Sequence, residues 1–155
     1  MIDPPSQTAS PIPDRDLKTA PFLSLHLTAF SATELINWLT TPDPKTIRPR
    51  AAAYLNAHTA NLALRHASKL GAALKQMDVV YPDGMSIVRA ARRIGIPVSE
   101  RVSAADFFLR FCWSAAARGR SLAFVGGPDG LSSRCAENLR ATIPNLSIVF
   151  TSHGF

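Results

Sequence analysis

The stretch AAAYLNAHTANLALRHASKLGAALKQMDVVYPDGMSIVRAARRIG, residues 51–95, decides the fold. Two short apolar runs, AAAYLN and MDVVYP, are each followed by a segment whose apolar residues recur at helical spacing. The runs are continuous rather than alternating, as in strands buried on both faces. Strand–helix alternation of this kind predicts a parallel sheet covered by helices, an α/β fold. HTANLALRHASKLGAALKQ reads as one helix, and GMSIVRAARRIG as a second, closed by Gly95.

The pattern continues on both sides. Downstream, SAADFFLRFCWSAAARG reads as a helix with Ser103 as N-cap and Gly119 just past its end. It is followed by the strand SLAFVGG, the helix PDGLSSRCAENLRAT and the strand LSIVF. Upstream, LSLHLTAF reads as a strand and SATELINWLT as a helix opened by a capping box of Ser31 and Glu34. Residues 1–20, rich in Pro, Ser and Asp and without periodicity, are expected to be a flexible leader, which leaves 21–155 as the folded domain.

With 155 residues, 46% of them hydrophobic and 18% charged, the chain can bury one sizeable core and lies outside the composition of disordered proteins. Its net charge of +6 attracts phosphates, anionic headgroups or nucleic acid. The basic residues are not interleaved with aromatics as stacking platforms require, so nucleic acid is not an expected partner. Cys112 and Cys135 have neither a CxxC spacing nor the density of a disulfide scaffold, which points to a reducing compartment and a cytoplasmic location. No apolar run reaches the roughly 18 residues of a membrane span, although the chain can rest on a membrane surface. No His/Cys cluster has metal-ligand spacing, so no metal is expected.

In open parallel sheets, ligands bind beyond the carboxyl ends of the strands. Three stretches fall there and are expected to line one pocket: Asn56 to Thr59, Pro82 to Ser86, and Gly126 to Gly130. Asp83, between a strand and a helix, fits two roles, helix N-cap or general base. Asn56 fits either a turn-capping amide or a group that orients a sugar hydroxyl, while His58, Thr59 and Asn61 are ordinary types for a helix start. Gly126 and Gly127 let the backbone approach a diphosphate closely, although their spacing is neither GxGxxG nor that of a P-loop. Arg101 suits bidentate phosphate binding and equally suits a solvated surface.

Taken in order, YLNAHTANLA, VVYPDGMSIVRAAR, ERVSAADFF, SLAFVGGPDG and IPNLSIVFTSHGF resemble the motifs of the WecG/TagA/CpsF glycosyltransferases, from about Leu25 to the last residue. The resemblance implies a Rossmann-like α/β domain. It also implies inverting transfer of an N-acetylmannosamine-type sugar from a UDP-sugar to a polyprenyl-diphosphate-linked acceptor, with no cofactor and no required metal. The reaction would take place at the cytoplasmic membrane face, in cell-surface polysaccharide synthesis, with the protein peripheral to the membrane. Homo-oligomerisation is left open.

On this resemblance the acid of the Pro-Asp-Gly motif matches Asp83, the base for the acceptor hydroxyl, followed by Gly84. The family's Thr-x-Asn strand end falls on Tyr54 and Asn56, so the Asn matches and the Thr does not. Arg101 matches the phosphate-holding Arg-Val motif, and Gly126–Gly127 match the nucleotide-side glycines. Ala104 stands where a glycine is usual, and the ending HGF lacks one aromatic of the family's His-Gly-Tyr-Phe. Family members continue through a further strand, a Pro-Lys-Gln-Glu-type loop and a basic segment. The sheet is therefore expected to be incomplete at its C-terminal end, and a non-catalytic UDP-sugar-binding or partner-binding domain is the alternative function.

Overall fold

The computed structural model describes residues 18–42, 49–65 and 68–154. Most of the leader expected over residues 1–20 lies outside them; its last two residues, Thr19 and Ala20, begin a strand. The elements run β1 (Thr19–Phe22), β2 (Leu25–Thr28), α1 (Ala32–Thr40), β3 (Ala52–Leu55), α2 (Ala57–Ala63), α3 (Lys69–Lys75), β4 (Val79–Pro82), α4 (Met85–Arg93), α5 (Ala104–Ala117), β5 (Ser121–Val125), α6 (Leu131–Thr142) and β6 (Ser147–Ser152). The chain is an α/β protein of the Rossmann-like class. It divides into two compact units, with the boundary between Phe107 and Phe108.

In the unit that ends at Phe107, β1 and β2 pair antiparallel from Thr19↔Thr28 to Phe22↔Leu25. β3 and β4 pair parallel from Ala52↔Val79 to Leu55↔Pro82, with helices in the connection between them. β4 is buried along its whole length, as expected of its apolar run, whereas β3 is fully buried only at Leu55 and exposes Tyr54. Leu55, Val80, Leu27, Val88 and Ala91 are fully buried in one core with Phe22, Leu25, Leu74, Ile87, Ile96 and Val98. Ser31 caps α1 as expected, its Oγ accepting from the Glu34 amide at 3.2 Å while the Glu34 carboxylate accepts from the Ser31 amide at 2.7 Å. On the same helix Trp38 is fully buried, and the Arg50 guanidinium lies 5.1 Å from its ring centroid.

Two expectations change here. The single helix expected across HTANLALRHASKLGAALKQ is two helices, because Ser68 starts a new one by accepting from the Gly71 amide at 3.1 Å. The two pack closely: a Cβ on Gly71 would lie 2.4 Å from the Ala63 carbonyl oxygen. The strand at LSLHLTAF is shorter than expected, Leu25–Thr28, and it pairs antiparallel with β1.

In the unit that begins at Phe108, β5 and β6 pair parallel from Ser121↔Ser147 to Val125↔Ser152, with α6 as the crossover. Its core gathers Cys112 and Ala115 of α5 with Leu122, Ala136, Leu139, Ile143, Leu146 and Ile148. Gly119, just past α5, has φ +61, as its helix-ending role requires.

Candidate active site

At the carboxyl ends of β3 and β4 the register sets Tyr54 beside Tyr81 and Leu55 beside Pro82. The Asp83 amide then donates to the Leu55 carbonyl at 2.9 Å, which carries the pairing one residue further and brings Asn56 beside Asp83. Because side chains alternate along a strand, Tyr54, Asn56, Tyr81 and Asp83 share one face while Leu55 and Val80 enter the core on the other.

Of the two roles open to Asp83, helix capping is not the one it fills. The N-cap of α4 is Gly84, with φ +106 and no side-chain cap bond, so the helix starts one residue later than an Asp83 cap would require. Glycine takes that φ far more readily than other residues, so the positive φ, rather than any crowding, is what favours glycine at this turn. The Asp83 carboxylate is half-buried and makes no hydrogen bond or ion pair among the described residues. A carboxylate so placed can accept a proton from a ligand hydroxyl.

Asn56, by contrast, does cap its helix. Its Oδ1 accepts from the Thr59 amide at 2.9 Å, and the Thr59 Oγ1 accepts from the Asn56 amide at 2.8 Å. The Nδ2 group makes no hydrogen bond among the described residues, so the same side chain can cap with its oxygen and donate with its nitrogen. Asn56→Ala is expected to cost about 1 kcal/mol in urea denaturation, whereas Asn56→Asp, which keeps an acceptor, should fold with nearly unchanged stability and lose only the donor. His58 and Asn61 are exposed on α2.

Sequence reading missed Tyr81. Its ring is 7% exposed and stands edge-on to Phe107, with centroids 6.1 Å apart and planes at 73°. Burial, then the charges of Asp83 and Tyr54, push its phenol up to about 12. The signal was available, since Tyr81 lies two residues before Asp83 and so on its face. An unfolded phenol ionises near pH 10, so between about pH 10 and about pH 12 the unfolded chain holds fewer protons than the folded one. Tyr81 therefore contributes stability that is fully present below about pH 10 and is lost as pH rises toward 12. Urea midpoints taken at pH values across that window, beside the tyrosinate absorbance, check this.

Arg101 is tied to the same strand end through its neighbour, because the Val102 amide donates to the Pro82 carbonyl at 2.9 Å. Its guanidinium is ion-paired with Asp106 in the first turn of α5. Asp106 is a second residue that sequence reading missed. Both side chains are exposed, so the pair is weak, and an anionic ligand can compete for the guanidinium.

Gly126 and Gly127 lie in the other unit, after β5. The Gly126 amide donates to the Ser152 carbonyl at 3.0 Å, so it is engaged with the end of β6 rather than open to an anion. The Gly154 amide in turn donates to the Gly127 carbonyl at 3.1 Å, and Ser132 Oγ donates to the Ser152 carbonyl at 3.0 Å. Ser152 and Gly154 thus hold the glycine loop from the end of β6. Gly127 has φ +75, and a Cβ there would lie 2.6 Å from Leu131 Cδ2. Beside the loop, Phe124, Val125, Leu131, Ser132 and Cys135 line an open cavity of about 350 Å³.

Among the described residues, no three His, Cys, Asp or Glu side chains are grouped to hold a metal ion, and no helix is long and apolar enough to cross a membrane. The sequence is similar to an N-acetylglucosaminyldiphosphoundecaprenol N-acetyl-beta-D-mannosaminyltransferase of Bacillus spizizenii, with 25% identity over 84 residues. That alignment covers 54% of this chain and 33% of the relative, so the matched stretch is a third of the relative's length. Over residues 20–155 the sequence matches the glycosyl transferase WecG/TagA/CpsF family, and with that match spanning the hydrogen-bonded strand ends, the Asp83–Gly84 turn and the glycine loop, the chain belongs to this family.

Proposed function

We propose that the chain carries the catalytic centre of an inverting glycosyltransferase. It would move an N-acetylmannosamine-type sugar from a UDP-sugar to a lipid-linked diphosphate sugar at the cytoplasmic membrane face, in cell-surface polysaccharide synthesis. One observation carries the reading. At the strand ends Asp83 presents a half-buried carboxylate that caps nothing and pairs with nothing among the described residues, beside an Asn56 amide that retains a donor. Family membership and the name of the Bacillus spizizenii relative support the sugar and acceptor classes.

In this reading Asp83 takes the proton of the acceptor hydroxyl as that oxygen attacks the anomeric carbon of the donor from the face opposite UDP. The C–O bond to UDP breaks, its electron pair leaves on the diphosphate, and the anomeric configuration inverts. Asn56 Nδ2 holds a sugar oxygen. Arg101 is the group that balances diphosphate charge, a task that a guanidinium performs through paired N–H donors. No cofactor takes part in these steps.

The experiment is incubation of the chain with labelled UDP-N-acetylmannosamine and an N-acetylglucosamine 1-diphosphate that carries a short alkyl chain. Formation of the disaccharide, with the inverted anomer read by NMR, supports the reading. Binding of UDP without transfer in the same assay supports instead the non-catalytic UDP-sugar-binding domain.

A further inference from the structure

The face that carries Asp83 also carries an aromatic ring open to solvent. Tyr54 is 46% exposed, although its strand neighbour Leu55 and the residue facing the core from β4, Val80, are fully buried. Tyr81 beside it is buried edge-on against Phe107 and so forms a fixed support on that face. The Tyr54 hydroxyl makes no hydrogen bond among the described residues. One step further along the strands stand the Asp83 carboxylate, which pairs with no side chain among the described residues, and the donor nitrogen of Asn56.

A flat apolar ring next to a polar pair suits a pyranose, which offers C–H bonds on one side and hydroxyls on its rim. It does not suit the diphosphate of a nucleotide, because the Asp83 charge repels phosphate oxygens. We propose that Tyr54 is a specificity-determining wall of the acceptor-sugar subsite, its ring packed on the C–H face of an N-acetylhexosamine whose hydroxyl turns to Asp83. This rests on the transferase reading above and adds to it the contact that selects the acceptor.

The test measures the Kd of the short-chain N-acetylglucosamine 1-diphosphate and of UDP for wild type, Tyr54→Ala and Tyr54→Phe, with circular dichroism to show that each folds. Tyr54→Ala is expected to weaken the acceptor probe roughly 3- to 10-fold, while Tyr54→Phe, which keeps the ring, stays within about 2-fold. UDP affinity should not move, and saturation transfer should reach the sugar ring protons from aromatic protons in wild type but not in Tyr54→Ala. Equal acceptor binding by wild type and Tyr54→Ala overturns the subsite and leaves the transferase reading intact. Equal weakening by Tyr54→Phe also overturns it, because the hydroxyl and not the ring then makes the contact. A wild-type chain that does not bind the acceptor probe overturns it too, and if UDP-N-acetylmannosamine also fails to bind, the transferase reading falls with it.

Discussion

Replacing Asp83 by Asn is expected to lower transfer about 10²- to 10⁴-fold, the range general-base catalysis supplies, while the urea midpoint stays nearly unchanged. The two readouts separate because of the local geometry. Asp83 caps no helix and bonds to no described side chain, so the fold loses no contact when its charge goes. The carboxylate also raises the Tyr81 phenol. In Asp83→Asn the tyrosinate transition near pH 12 should therefore move down, a sign that the substitution acted where intended. Transfer at the wild-type rate with the transition displaced would remove the base assignment and leave the geometry standing.

Phe107→Ala should produce the largest loss of stability, about 3–5 kcal/mol, because a ring only 6% exposed is removed from a packed site. The cost is local in meaning as well as in size. Phe107 stands against Tyr81, and its amide donates to the Ser103 carbonyl at 3.2 Å in the opening turn of α5. Emptying that space frees the Tyr81 ring and loosens the Arg101–Val102 connection to β4. Urea denaturation measures it, and a loss under about 1 kcal/mol would mean that the ring is not packed as described.

Much of this was legible before any coordinates. Continuous apolar runs gave β3, β4, β5 and β6 and their parallel pairing, and side-chain types gave the cap at Ser31 while leaving Asn56 open between a cap and a sugar contact. What escaped depended on backbone detail that residue types do not encode. The break between α2 and α3 is invisible to periodicity, since apolar residues keep helical spacing from Leu62 to Leu74 while Ser68 quietly caps a new start. The β1–β2 hairpin turns at Leu23 and Ser24 with φ +48 and +58, a conformation neither residue type advertises.

The candidate site shows the same division. Strand alternation already put Tyr81 on the face of Asp83, yet whether Asp83 caps α4 turned on a one-residue shift set by the positive φ of Gly84. Asp106 as the partner of Arg101 required the α5 start to be known. For the Gly126 amide, residue type suggested an open anion contact, and the end of β6 claims it instead.

The most direct measurement is a crystal structure of the chain with the short-chain N-acetylglucosamine 1-diphosphate bound. A sugar hydroxyl within about 2.6–3.2 Å of an Asp83 carboxylate oxygen, with Asn56 Nδ2 on the same sugar, is the expected result. An acceptor seated elsewhere, with Asp83 left facing solvent, would contradict the assignment of this strand-end face as the catalytic centre.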